Sequence, residues 1–405
     1  MKLLFVTGLY TDNARCELNQ ISPHIPLQEA PNSFQWAIIN GLYANGIDFN
    51  VLSFPFLPSY PFGCYKRMTP SSVIKYEDRI IGEMLSYDSF FLLKQNSIER
   101  LLYENVKIWI KNHSFTQKDN FCILTYTQSS FFISPLLKLK KEYPGLIIAT
   151  IITDMIEDAL NYKSNRSYFK RLQLFIEAQR QKKQFKYIDK YILLTKAMEE
   201  RIPEANNKNI VVEGICNVNQ ENFSIVPKAK MLFYSGTLES YSGIKELVDA
   251  FMMVKMPDIK LCVCGSGILS NYIQEKMKVD ERIYYLGNLP RNRVIELQRK
   301  SSILINPRRP DNGITRFSFP SKTMEYMVSG TPMIGYKLEG IPEEYYINMF
   351  VPNDLSIQSL ANCIKDIFLL PNSILVEKAK GAYKFVTEKK NAEIQVKKIM
   401  DFICL

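Results

Sequence analysis

Short apolar runs, most of them stopping at a glycine or a polar residue, alternate along this chain with stretches of helical spacing. "KLLFVTG", "FNVLSF", "FCILTYT", "LIIATIIT", "KYILLT" and "NIVVEG" form one series; "KMLFYSG", "IKLCVCGSG", "RIYYLGN", "SSILINP", "TPMIGY" and "NMFVP" form another. Uninterrupted apolar runs of this length read as strands covered on both faces, and helices between them supply the cover, so the pattern predicts parallel sheets of the βαβ kind. Between the two series, Cys216 to Lys230 is polar and reads as a linker. The expected fold class is therefore α/β, with two Rossmann-like halves facing across a cleft, residues 1–220 and 221–405, the second including the charged helical tail. A length of 405 residues suits two such domains.

Local chemistry supports the helices. "NSFQWAIINGLYANG" carries Asn32 or Ser33 as a cap, an apolar stripe at Phe34, Ile38 and Leu42, and Gly46 as a stop. A proline- and aromatic-rich stretch from Pro55 to Pro70 reads as a loop. No low-complexity tract or short repeat interrupts the chain.

Composition excludes several classes. The eight cysteines include no CxxC pair, and Cys262 and Cys264 lie within an apolar run, so neither a disulfide framework nor a zinc site is indicated. With His24 and His113 as the whole histidine complement, a histidine-based metal centre is not expected. The initial "MKLLFVTGLYTDN" is too short in its apolar part for a signal peptide, and no run reaches the roughly 18 apolar residues of a membrane span. A cytoplasmic protein, or one peripheral on the inner leaflet, is the expectation. The net charge of +10 suggests an anionic partner. No basic-aromatic recognition motif points to nucleic acid.

In open parallel sheets, ligands bind beyond the carboxyl ends of the strands. Gly8, Gly214, Gly236, Gly265 and Gly287 each follow an expected strand, where backbone can approach a ligand closely. The richest stretch is "FSFPSKTMEYMVSGTPMIGY". Pro320 suits a first helical turn, Ser321 a cap, Met324, Met327 and Val328 a buried stripe, and Gly330 a stop. Lys322 places a cation at a helix N-terminus, where the dipole favours acids, and this makes sense if an anion docks there. Glu325, one turn on, can accept hydrogen bonds from ribose hydroxyls. Upstream, "INPRRPDNGITRFSF" brings Arg308, Arg309 and Arg316 into the loop before this helix, and guanidinium groups bind diphosphates bidentately. A GxxxxGK[ST] loop is absent, and "GSG" at Gly265–Gly267 lacks the third glycine of a dinucleotide fingerprint.

In order, "LFYSGTLESYSGIKELVDAF", "LCVCGSG", "RIYYLGNLPRNRVIELQRKSSILINPR" and "FPSKTMEYMVSGTP" resemble the donor-binding half of glycosyltransferase family 4, whose members have the GT-B fold. The resemblance covers most of residues 230–345, and "FPSK…EYM.SGTP" is similar to the branch working in bacterial polysaccharide assembly. It implies retaining, metal-independent transfer of a sugar from a nucleotide-diphosphate donor, a UDP-sugar foremost, with no cofactor. The acceptor implied is a hydroxyl of a glycan or lipid-linked oligosaccharide, in capsule, exopolysaccharide or O-antigen assembly. Of the family's glutamate pair, Glu325 matches the ribose-binding second member, while the first falls on Phe317. Thr237 and Ser242 stand where the family carries an arginine and a lysine, so the diphosphate is left to Lys322, Arg308 and Arg316, with Lys245 a lesser candidate. Gly236, Thr237, Gly265 and Ser321 complete the expected donor site, and Gly8 belongs to the acceptor side. In place of a first-half histidine, Asp154 stands at the end of "LIIATIIT", with Glu157 and Asp158 nearby; Asp154 and Lys322 are the expected catalytic residues. Two rival readings are a nucleotide-sugar epimerase and a non-catalytic partner subunit.

"NRSYFKRLQLFIEAQRQKKQFKYIDKY" carries Arg166, Lys170, Arg171, Arg180, Lys182, Lys183 and Lys186, with Tyr168, Leu172, Phe175 and Ile176 near helical spacing on another face. Such a helix either lies on an anionic membrane or packs its apolar residues inward.

Overall fold

The computed structural model describes residues 2–21, 27–61, 63, 66, 72–91, 93–157, 168–217, 228–313 and 315–405, and no side chain of residues 19–21, 168–170 or 312. His24, Asp158, Arg166 and most of the expected linker lie outside the described residues, as do the side chains of Tyr168 and Lys170.

The chain divides into two compact units, one of residues 1–217 with 392–405 and one of residues 218–391. The first is built on an eight-stranded sheet: β1 (Leu3–Thr7), β2 (Phe49–Ser53), β3 (Ser72–Tyr76), β4 (Arg79–Met84), β5 (Phe121–Thr125), β6 (Leu146–Ile152), β7 (Lys190–Leu193) and β8 (Asn209–Val211). Their order is β3-β4-β2-β1-β5-β6-β7-β8, parallel throughout except for β3 against β4. Leu3 to Val6 and Phe121 to Leu124 are wholly buried, which explains why these strands read as unbroken apolar runs. Helices α1 (Asp12–Ile21), α2 (Glu29–Ala44), α3 (Lys94–Asn112), α4 (Ser130–Glu142) and α5 (Tyr168–Phe185) belong to the same unit.

Two local expectations change. Helix α2 starts a turn earlier than Asn32 or Ser33, and neither caps it. The Asn32 Oδ1 instead accepts from the Tyr10 amide at 2.9 Å, and the Gln35 Oε1 accepts from the Gly8 amide at 2.7 Å, so this helix ties down the loop after β1. The hairpin of β3 and β4 carries no apolar run. It forms because β4 pairs with β2, where Gly82 brings the chains so close that a β-carbon there would lie 1.9 Å from the Val51 carbonyl oxygen.

The second unit has a five-stranded, wholly parallel sheet of β9 (Ala229–Ser235), β10 (Lys260–Cys264), β11 (Ile283–Tyr285), β12 (Ser301–Asn306) and β13 (Met333–Gly335), in the order β11-β10-β9-β12-β13. "NMFVP", expected as a strand, contributes a single bridge from Phe350 to Ile334 before Pro352 removes the next possible donor. Helices α6 (Ile244–Met253), α7 (Ser270–Met277), α8 (Arg291–Lys300), α9 (Ser321–Val328), α10 (Ile357–Leu369) and α11 (Asn372–Lys389) complete this unit.

The last helix, α12 (Ala392–Cys404), corrects the expected domain boundary: it packs on α2 in the first unit instead of joining the second. Its stripe of Val396, Ile399, Met400 and Ile403 is buried there, and the Gln395 amide donates to the Gly214 carbonyl at 2.8 Å. Among the described residues, no single helix is long and apolar enough to cross a membrane.

Candidate donor site in the second unit

Strand order in the second sheet reverses between β9 and β12, and the carboxyl ends of that pair define its switch point. Gly236 follows β9, Arg308 follows β12, and α9 delivers Lys322 to the same place. Backbone packing there leaves no room for side chains. A β-carbon on Gly265 would lie 1.8 Å from the Gly236 carbonyl oxygen, and one on Gly243 would lie 1.9 Å from that of Pro307. The Gly236 amide donates to the Cys264 carbonyl (2.9 Å) and the Gly265 amide to that of Gly287 (2.8 Å), so the loops after three adjacent strands are laced together.

Lys322 runs across Gly236, its Nζ within 2.6 Å of where a β-carbon would stand. The side chain is half-buried and has no hydrogen bond or ion pair among the described residues. Burial lowers its pKa, the Glu325 carboxylate counteracts this, and the neighbouring Arg308 guanidinium lowers it further. Two cations thus converge beside a helix N-terminus and a glycine turn. Ser321 does not cap α9: Pro320 occupies the cap position with no side-chain cap hydrogen bond, and the Thr323 amide donates to the Pro320 carbonyl at 2.9 Å, so this helix start lacks the side-chain cap that would compete with an anion.

Glu325 is fixed from below. Its Oε1 accepts from the Gln298 Nε2 at 2.5 Å, and its Oε2 faces the Arg291 Nη1 at 3.4 Å. Gln298 is buried on α8 and its Nε2 also reaches the Ser235 Oγ at 3.3 Å, while the Ser235 amide donates to the Tyr326 hydroxyl at 3.2 Å. Burial pushes the Tyr326 hydroxyl pKa well up, so it stays protonated. The sequence reading missed Gln298 and Arg291; a glutamine in the polar run "RNRVIELQRK" looks solvated until its neighbours across the sheet are known.

The other expected donor residues are placed differently. Arg308 reaches the Ser318 Oγ at 3.1 Å and stays beside Lys322. Arg316 pairs with Glu339 at 2.7 Å on an exposed surface, and Arg309 pairs with Asp311 at 2.7 Å and the Leu355 carbonyl. Thr237 is exposed and its carbonyl accepts from the Tyr234 hydroxyl at 2.7 Å. Ser242 donates to the Glu239 carbonyl inside its own turn, and the Lys245 ammonium lies over the Tyr272 ring. Phe317 is buried beneath the Arg316 guanidinium, an apolar side chain where the family's first glutamate stands.

The first unit has its own switch point, between β1 and β5. Gly8 lies there, but its bareness serves the Phe56 ring, which a β-carbon would approach to 2.4 Å, and its amide is taken by Gln35. Asp154 stands exposed just past β6; its carbonyl accepts from the Gln128 Nε2 at 2.7 Å, and its charge adds to the burial that raises the Tyr126 pKa. Among the described residues, no group of three or more His, Cys, Asp or Glu could hold a metal ion.

Residues 217–402 match the family described as Glycosyl transferases group 1. No curated protein sequence matches the chain. Solved structures do. Sucrose-phosphate synthase from Thermosynechococcus elongatus aligns at 15% identity over 99% of this chain and 98% of its own, with a TM-score of 0.63. WaaG, a glycosyltransferase involved in lipopolysaccharide biosynthesis, aligns at 13% identity over 99% of both chains (TM-score 0.60). Anabaena HepE in complex with UDP aligns at 14% identity over the full length of both chains (TM-score 0.54). The fold is GT-B, two Rossmann-like domains, and it is the second unit that is similar to the group 1 glycosyl transferases.

Proposed function

We propose that this protein transfers a sugar, with retention, from a UDP-sugar to a hydroxyl of a glycan or lipid-linked acceptor, in cytoplasmic polysaccharide assembly at the inner face of the membrane. The observation that carries this reading is the unpartnered Lys322 ammonium lying across Gly236 at the switch point, with Arg308 beside it. Two adjacent cations in a half-buried niche, with the nearby Glu325 carboxylate already held by Gln298 and Arg291, suit a diphosphate. When the bond from the anomeric carbon to the diphosphate oxygen breaks, the charge growing on that oxygen is met by groups already in place. Lys322 and Arg308 take that role, which requires no metal. Arg316 joins them only by leaving Glu339.

Glu325, held by Gln298 and Arg291, is positioned to accept from the ribose hydroxyls, and the start of α9 at Ser321 receives phosphate oxygens. Gly236, Thr237 and Gly265 allow the nucleotide close to backbone. On the acceptor side, the exposed Asp154 carboxylate at the end of β6 orients a hydroxyl, whereas Gly8 supports Phe56. The UDP complex of HepE and the lipopolysaccharide role of WaaG support the choice of donor and pathway for this chain. With Phe317 apolar, the sugar ring takes fewer hydrogen bonds from this loop than in relatives that carry a glutamate there.

The test is calorimetric titration with UDP and a transfer assay on Lys322→Ala and Asp154→Asn. Lys322→Ala is expected to weaken UDP by about tenfold or more, and Asp154→Asn to reduce turnover with UDP affinity unchanged. UDP binding within twofold of the parent in Lys322→Ala would remove the diphosphate site.

A further inference from the structure

Helix α5 (Tyr168–Phe185) faces the opposite way from a core helix. Ala178, Gln181 and Phe185 are its buried residues, spaced three and four apart, while Leu172, Phe175 and Ile176 are 44%, 53% and 47% exposed on the outward side. At 100° per residue, Lys183 and Lys186 fall on that same outward arc, while Arg171 and Lys182 flank it on the side toward Ala178; all four are exposed. Glu177, the helix's single acid from Arg171 onward, turns away: its carboxylate accepts from the Ser130 amide (2.8 Å), the Ser130 hydroxyl (2.5 Å) and Gln181 (2.9 Å). Nearby Glu157 lies 3.6 Å from the Lys182 ammonium, and Lys186 lies over the Tyr187 ring.

We infer that this outward face of α5 docks on an anionic lipid surface. Each part of the face has a use there. Leu172, Phe175 and Ile176 insert below the headgroups, where the water they now contact is excluded. The flanking ammonium and guanidinium groups lie at headgroup level, where their stems stay apolar and their charges meet lipid phosphates. A protein partner large enough to bury the same patch would have to place carboxylates to match Arg171, Lys183 and Lys186; a fluid anionic headgroup layer supplies negative charge in any arrangement. The inference stands on the helix's own orientation and does not depend on what the second unit binds, although a lipid-linked acceptor would be reached from such a surface.

The test is co-sedimentation of the full-length protein with vesicles of phosphatidylcholine alone and of phosphatidylcholine with one third phosphatidylglycerol. Binding is expected only to the anionic vesicles and is expected to fall steeply from 50 to 500 mM salt. Two variants, Leu172→Ser/Phe175→Ser/Ile176→Ser and Lys182→Glu/Lys183→Glu/Lys186→Glu, are each expected to lower the partition coefficient by about tenfold or more. Transfer to a water-soluble acceptor and UDP affinity are expected to stay at the parental level, since these residues lie on the far side of the helix from the fold's core. No binding to anionic vesicles, equal binding to neutral ones, or binding unchanged in both variants would overturn the inference. So would a dimer in sedimentation velocity that the apolar variant dissociates, because a second copy would then occupy the face.

Discussion

Lys322 crosses the backbone of Gly236 so closely that a methyl group on the glycine would lie 2.4 Å from Cε and 2.6 Å from Nζ. The clash is with the far end of a flexible side chain, so Gly236→Ala is expected to fold, at a cost of about 1–3 kcal/mol for a φ of +159° that glycine tolerates best. The methyl group displaces the ammonium, and UDP affinity is expected to fall by about tenfold, or about 1.4 kcal/mol. Calorimetric titration checks this; an unchanged affinity would mean that the position of Lys322 is irrelevant to the nucleotide.

The lowered pKa of Lys322 gives a pH signature. In the folded, unliganded protein the ammonium loses its proton below the ordinary lysine value, because burial and Arg308 disfavour the charge. Diphosphate binding needs the charged form. UDP affinity is therefore expected to decline on the alkaline side, starting below pH 10.5, with proton uptake on binding. The same shift makes the unfolded chain the stronger proton binder in that window, so this group's contribution to stability rises with pH there. Lys322→Arg, whose guanidinium stays charged, is expected to flatten the affinity profile. A parental profile already flat up to the ordinary lysine range would rule the assignment out.

Glu325 and its buried partner make a separable pair. Glu325→Ala is expected to weaken UDP by about tenfold while leaving the affinity for inorganic pyrophosphate unchanged, since the ribose contact alone is lost. Gln298→Glu places a second carboxylate within hydrogen-bond distance of the first, which raises one pKa of the pair. UDP binding to that variant is expected to show a pH-dependence near neutrality in addition to that of the parent, which the terminal phosphate of UDP itself brings. Loss of pyrophosphate binding in Glu325→Ala would instead make the carboxylate part of the phosphate site.

What the sequence disclosed of this protein depended on whether the controlling contact was local. Strands such as Leu3–Thr7 and Phe121–Thr125 are covered on both faces and spell themselves as apolar runs. The hairpin Ser72–Met84 is held by its neighbour β2, and its alternating, charged residues carry no such run. At the site, the helix start at Pro320-Ser321-Lys322 was readable because its signal is contained in one turn, although Pro320 and not Ser321 takes the cap position. The Arg316–Glu339 pair was not readable, since Glu339 lies far along the chain, and Gln298 was invisible for the same reason. In α5, helical spacing revealed apolar and basic residues but not that Leu172, Phe175 and Ile176 point away from the core.

The allegiance of α12 was likewise beyond a periodicity argument: Val396, Ile399, Met400 and Ile403 define an inward face without saying inward to what. In the structure they bury against the first unit, and a β-carbon on Gly41 of α2 would lie 2.3 Å from the Ala392 carbonyl and 2.4 Å from the Val396 side chain. Ile399→Ala removes a side chain that is 1% exposed and is expected to cost about 2–5 kcal/mol. Both tryptophans of the chain, Trp36 and Trp109, belong to the first unit, so their fluorescence reports on that unit alone. In urea, the tryptophan transition of Ile399→Ala is expected to move to lower denaturant, and UDP protection of the second unit is expected to persist below it. A tryptophan midpoint equal to that of the parent would mean that the last helix stabilises the donor-binding unit instead.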